Sequence, residues 1–125
     1  EYLEIANDEI MVILQIERQE AVENIEEIVS VEGVNATLIG PMDLSASMGL
    51  RGKPFHPKVV KAMDEVLEAC KRAKVAPGIA FGQNIEHINK LIEQGFRLIS
   101  VGGDVDFLSE VCESVLKQIK VIRKH

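Results

Sequence analysis

Four short apolar runs alternate with four amphipathic stretches along this chain. That alternation constrains the fold more than any other feature. Residues 11–16, 37–39, 77–81 and 98–101 are brief and largely apolar, partly β-branched. Such runs suit strands buried in a parallel sheet. Between them, apolar residues recur at three- and four-residue intervals. Val22, Ile25, Ile28 and Val29 form one stripe within residues 19–32. Val59, Val60, Met63, Val66, Leu67 and Cys70 form the second, and Ile85, Ile88, Leu91 and Ile92 the third. Phe107, Leu108, Val111, Val115, Leu116 and Ile119 form the last. Stripes of this kind predict helices with one buried face.

Punctuation residues agree with these boundaries. His56 opens a helix with Pro57 in its first turn. Asn84 predicts an N-cap, Gly95 a helix stop, and Asp104 an N-cap for the final helix. Residues 43–49 read as a turn or short helical piece, and residues 1–9 as the tail of a preceding element. The order is β-α-β-α-β-α-β-α, which implies an α/β fold with a parallel sheet covered by helices. An open doubly wound sheet and part of a (β/α)8 barrel both satisfy it. A complete barrel takes roughly 250 residues; this chain has 125, material for about half. No linker divides it, so residues 1–125 are expected to form a single domain.

Composition narrows the partners. The net charge is −6 without basic clusters. That argues against nucleic acid, whose phosphates need a basic surface. No apolar run approaches the ~20 residues of a membrane span. Residues 1–4 do not resemble a signal peptide, and a first residue other than Met suggests a start inside a longer reading frame. Cys70 and Cys112 lie at helical spacing among apolar residues. Both read as small buried hydrophobes rather than a disulfide or metal pair. A reducing, cytoplasmic location fits.

In parallel α/β folds the working face lies at the C-terminal ends of the strands. Glu17 ends the first strand, residues 40–43 (Gly-Pro-Met-Asp) follow the second, residues 81–83 the third and residues 102–104 the fourth. Strand alternation puts Met11, Ile13, Gln15 and Glu17 on one face, and Val12, Leu14 and Ile16 on the other. If the second set packs on the helices, Gln15 and Glu17 point into the barrel or cleft. A carboxylate there needs a partner. A divalent cation shared with Asp43 would satisfy both, and oxygen ligands favour Mg²⁺ or Mn²⁺. On spacing alone, two plainer readings weigh equally: Glu17 in an ion pair or solvated at the strand end, and Asp43 as an N-cap. Gly82, Gly102 and Gly103 fit tight strand-to-helix turns better than a phosphate site, because residues 102–104 hold no basic residue. The acidic run at residues 23–27 reads as a solvated helix face. Met42 and Met48, beside the second strand's end, read as pocket lining or core filler.

The residues around the two carboxylates carry a specific pattern. Leu14-Gln15-Ile16-Glu17 and residues 39–49, IGPMDLSASMG, closely resemble the HpcH/HpaI aldolase family of class II pyruvate aldolases. His56-Pro57 and residues 100–104, SVGGD, fit the same pattern, in register along nearly the whole chain. The resemblance implies the C-terminal half of a (β/α)8 barrel, with Glu17 and Asp43 as ligands of a divalent metal. It implies reversible cleavage of a 2-oxo acid aldol to pyruvate and an aldehyde. Gln15, Gly40, Pro41, Met42, Asp43 and Ala80 are then the substrate-binding positions. The backbone N–H groups of Met42 and Asp43 would hold the pyruvate carboxylate, and Ala80 would line the aldehyde side.

In the family, four earlier β/α units supply an arginine for pyruvate and a histidine–aspartate pair for proton transfer. No residue here stands in a matching context. His56 reads as a helix cap, His87 lies within a helix and His125 ends the chain; Arg18 and Arg51 read as solvated charge. A half-barrel leaves apolar strand edges at both ends of its sheet, which recruit partners. The chain is therefore expected to pair with a complementary N-terminal half, to form a homo-oligomer, or to be a fragment of a longer protein. Two other functions remain open: a non-catalytic metal-binding or assembly module, and a citrate lyase-like or malyl-CoA-type carbon–carbon lyase.

Overall fold

The computed structural model describes residues 2–119. Helix α1 spans Tyr2–Glu9, and strand β1 follows at Val12–Ile16. Two short helices, α2 (Gln19–Glu23) and α3 (Ile25–Val29), lead to β2 (Val34–Ile39). Then come α4 (Pro41–Ser47), α5 (Pro57–Ala73), β3 (Gly78–Ala80), α6 (Ile85–Gln94), β4 (Leu98–Ser100) and α7 (Asp104–Gln118). The strands form one sheet in the order β1-β2-β3-β4, all pairs parallel. Sequential neighbours joined by crossover helices are the arrangement of a barrel wall, not of a doubly wound sheet, whose order reverses at a switch point.

The register fixes which face each strand residue occupies. Ile16 pairs with Ile39, Ile39 with Ile79, and Ile79 with Ile99. The first three of these are essentially inaccessible. They pack with Val22, Ile25, Val29, Val59, Val66 and Cys70 from α2, α3 and α5. This row is the helix-facing layer. Thr37 shares its face, and its hydroxyl lies 3.3 Å from the Cys70 thiol. Burial raises the Cys70 pKa, partly offset by that Thr37 contact. Gln15 and Glu17 therefore lie on the opposite face, as strand alternation predicts.

Gly78 shows how closely the strands approach. A Cβ there would stand 2.2 Å from the Thr37 carbonyl oxygen and 3.1 Å from Leu98 Cβ. At the other end of the sheet, the register slips by one residue between Val12 and Ile13. The Val12 amide, displaced from its ladder position, donates instead to Asn35 Oδ1 at 2.7 Å.

Several helix signals hold. His56 is the N-cap of α5, its ring nitrogen accepting from the Lys58 amide. Asn84 caps α6 by accepting from the His87 amide at 2.9 Å. Gly95 ends α6 with φ +110. Other expectations need correction. The single helix expected within residues 19–32 is broken at Asn24, whose φ of −105 and ψ of 17 leave the helical region. The break is silent in the apolar pattern because Val22 and Ile25 on either side are both buried. Gly103, not Asp104, is the N-cap of α7, and its amide donates to Asp106 Oδ2 at 2.9 Å. The acidic run is solvated as expected at Glu23, Asn24, Glu26 and Glu27, with Glu26 beside an equally exposed Arg72, and only Ile25 turns to the core. Cys112 is exposed, not buried. It lies on α7, which has no buried residue among those described. The apolar stripe of α7 is real, but no described residue covers it.

The edges of the sheet are β1 and β4. Val12 and Ile13 on β1 are about 40% exposed. Among the described residues, no helix is long and apolar enough to cross a membrane. His125 lies outside the described residues.

Candidate active site

Glu17 follows β1 directly, half-buried at the strand's C-terminal end. Gly40 follows β2 beside it, its amide donating to the Ile16 carbonyl at 3.3 Å. That hydrogen bond brings residue 40 beneath the Glu17 side chain. A Cβ on Gly40 would lie 2.9 Å from Glu17 Cγ and 3.0 Å from its Oε1. The glycine leaves the space that the carboxylate fills. φ −100 and ψ 93 at Gly40 are ordinary extended values, so close approach, not backbone strain, explains the glycine.

Pro41 starts α4, where its missing N–H costs no hydrogen bond and its ring is buried. Asp43 is the third residue of this helix and is exposed. It is not the N-cap; Gly40 takes that position without any side-chain cap. The plainer reading of Asp43 is thereby removed. The ion-pair reading of Glu17 fails as well: Arg18 faces Glu20 at 4.0 Å, and both are exposed. Neither Glu17 nor Asp43 has an ion pair or side-chain hydrogen bond among the described residues.

Glu17 and Asp43 line one cleft of about 720 Å³, together with Arg18, Gln19, Glu20, Glu23 and Ser47. Ser47 closes it: its hydroxyl accepts from the Gln19 amide at 2.9 Å, tying the start of α2 to the end of α4. The sequence reading missed Ser47. Its spacing of four from Asp43, which puts both on one face of α4, was the available signal. No three His, Cys, Asp or Glu side chains converge among the described residues. Four carboxylates line the cleft, those of Glu17, Glu20, Glu23 and Asp43, and Glu17 and Asp43 are the two that stand at strand ends. Hard oxygen donors suit a hard divalent cation, and the room that Gly40 leaves for Glu17 fits that use.

The remaining predicted positions are dispersed around this pair. Gln15 is exposed on the face away from the helices, paired in register with Leu38. Met42 is 57% exposed in the first turn of α4, whereas Met48 packs against the core. Ala80 ends β3, half-buried, two strands from Glu17. Gly82 and Gly102 each have φ +76, the left-handed conformation of tight turns. His87 is stacked on Phe81 at 4.1 Å between centroids, with Phe55 against both rings.

Four parallel β/α units with a carboxylate pair at two adjacent strand ends define the class: an α/β half-barrel with its working face at the strand C-termini. Known proteins place it more closely. The profile of the HpcH/HpaI aldolase/citrate lyase family matches residues 2–110. The chain belongs to that family. A 4-hydroxy-2-oxo-heptane-1,7-dioate aldolase of Shigella sonnei (strain Ss046) is 39% identical over 92% of this chain and 44% of its own length. A family protein from Burkholderia cenocepacia J2315 superposes with a TM-score of 0.88 at 39% identity, covering 94% of this chain and 45% of that one. The HpcH/HpaI aldolase of Desulfitobacterium hafniense DCB-2 gives 0.87 at 34%, covering 98% and 47%. The chain spans about half the length of these relatives. Its fold is the C-terminal half of a (β/α)8 barrel.

Proposed function

We propose that this chain supplies the metal- and pyruvate-binding half of a class II aldolase, a carbon–carbon lyase that reversibly cleaves a 2-oxo acid aldol to pyruvate and an aldehyde. The observation that carries the reading is the Glu17 carboxylate seated in the space left by Gly40, in one cleft with Asp43, with neither carboxylate in an ion pair among the described residues. Glu17 and Asp43 would hold Mg²⁺ or Mn²⁺. A divalent cation bound there supplies Lewis-acid stabilisation of the enolate charge of pyruvate.

This chain's own residues do the positioning. Met42 and Asp43 lie in the first turn of α4, where backbone N–H groups have no carbonyl four residues earlier. Those amides would hold the pyruvate carboxylate, with Gly40 and Pro41 shaping the turn. Gln15 and Ala80 face the same side of the sheet and would line the rest of the substrate. The base and an arginine for pyruvate would come from four further β/α units. Those units, or another copy of the chain, would also cover the β1 and β4 edges. The free Cys70 and Cys112 suit the reducing cytoplasm.

The test is exchange of the pyruvate methyl protons with solvent deuterium by the full-length protein. Exchange that requires Mg²⁺ or Mn²⁺ and is lost in Glu17→Ala is the expected result. Metal binding without exchange, or without turnover of any 2-oxo acid aldol, would favour a non-catalytic module.

A further inference from the structure

Helix α2 begins without a cap of its own. The first N–H groups of a helix have no carbonyl four residues earlier. Arg18, at the N-cap, makes no side-chain cap hydrogen bond, since a guanidinium has no acceptor to offer. The Gln19 amide, first in the helix, donates instead to Ser47 Oγ at 2.9 Å, across 28 residues of sequence. Ser47 is the last residue of α4, and α4 is held in the core by Pro41, Leu44 and Ser45. A helix built into the core thus supplies the cap that α2 lacks.

The consequence falls on Glu17, which lies between two ties to the same stretch of chain. On one side the Gly40 amide donates to the Ile16 carbonyl at 3.3 Å. On the other the Gln19 amide reaches Ser47. Among the described residues, neither Glu17 nor Arg18 has a backbone hydrogen bond to residues 40–47. Asp43 stands on that stretch, one turn before Ser47 and on the same face of α4. The two ties therefore hold the segment carrying one carboxylate against the helix carrying the other. Metal sites tolerate about 0.2 Å in ligand distance, and a segment tied at one end only is held less closely than one tied at both. Gln19 and Ser47 are themselves exposed at the rim of the cleft, so their bond is not part of the buried core.

We propose that Ser47 is a positioning residue of the metal site: by capping α2 from α4 it fixes Glu17 relative to Asp43, so that both carboxylates reach one divalent cation. This rests on cation binding by Glu17 and Asp43 as proposed above. Ser47 itself touches neither the cation nor the substrate.

The test compares the full-length protein with Ser47→Ala, Ser47→Val and Ser47→Thr. Valine and threonine have nearly the same shape, and only threonine keeps the oxygen that accepts from Gln19. Mn²⁺ affinity is read from the electron paramagnetic resonance of the free ion, and stability from a thermal melt. Affinity is expected to fall about three- to tenfold in the Ala and Val variants, the worth of one neutral hydrogen bond. The Thr variant should keep the unsubstituted affinity, and all three should keep the melting transition. Unchanged affinity in Ser47→Ala, equal losses in the Thr and Val variants, or a loss that tracks a lowered melting transition would overturn the assignment. Glu17→Ala separates the two failures. Mn²⁺ binding that is lost in Glu17→Ala but indifferent to Ser47→Ala overturns the Ser47 assignment alone. No Mn²⁺ binding by the unsubstituted protein, or binding indifferent to Glu17→Ala, overturns the metal reading and this assignment with it.

Discussion

Replacing Gly40 with Ala should weaken metal binding while leaving the fold almost untouched. The new Cβ would fall 2.9 Å from Glu17 Cγ and 3.0 Å from Oε1. Comfortable carbon–carbon contact is about 3.5–4.0 Å, so the carboxylate must retreat by roughly 0.5–1 Å. Metal sites tolerate about 0.2 Å in ligand distance. Displacing a ligand this way should cost affinity on the scale of lost supporting contacts, about 10–100-fold, or about 1.4–2.7 kcal/mol. The backbone argues against a large change in stability. φ −100 and ψ 93 are open to alanine. The gain from a stiffer unfolded chain, about 0.4–1 kcal/mol, is set against alanine's poorer N-capping. Titration with Mn²⁺, read by the electron paramagnetic resonance of the free ion, gives the affinity; a thermal melt gives the stability. Unchanged Mn²⁺ affinity in Gly40→Ala would refute the reasoning. So would an affinity loss accompanied by a collapse of the melting transition.

Gly78→Ala should behave oppositely. Its Cβ would meet the Thr37 backbone carbonyl at 2.2 Å, which cannot swing aside, so a loss of about 1–3 kcal/mol in denaturant melts is expected. Asn84→Ala removes the acceptor for the His87 amide and should cost about 1 kcal/mol in the same assay. Cys112 should react with a thiol reagent in the native protein and Cys70 only on unfolding, because Cys70 is buried. Burial also raises the Cys70 pKa in the folded state. Its contribution to stability is therefore complete below the unfolded thiol's pKa of about 8.5 and declines as pH rises above it. Denaturant melts should show that decline, and Cys70→Ala should lessen it.

The layer that positions the site was legible in the sequence because it follows from local rules. Strand parity alone separated Ile16 from Glu17, and the ladder Ile16–Ile39–Ile79 bears it out. His56, Asn84 and Gly95 announced their roles because a cap acts on amides within three residues of itself. What escaped depends on longer-range contacts or on equivalent local solutions. The break at Asn24 is invisible because α2 and α3 both bury their apolar residues against α5, so the stripe runs on through the break. Either Asp104 or Asp106 suits the start of α7, and only the backbone shows that Asp106 serves Gly103. The periodicity of α7 states that one face is apolar, not what covers it, and this misplaced Cys112. The tie from Ser47 to Gln19 was silent because it spans 28 residues.

The most direct measurement is Mn²⁺ binding to the native protein, Glu17→Ala, Asp43→Ala and the double variant. If the two carboxylates are ligands of one ion, each single change should abolish high-affinity binding. The double variant should then be no worse than either, since both residues act as one unit. All three variants should keep the native melting transition, because neither side chain has a hydrogen bond or ion pair to lose among the described residues. Wild-type affinity in either single variant would contradict the central claim, and so would small, additive losses.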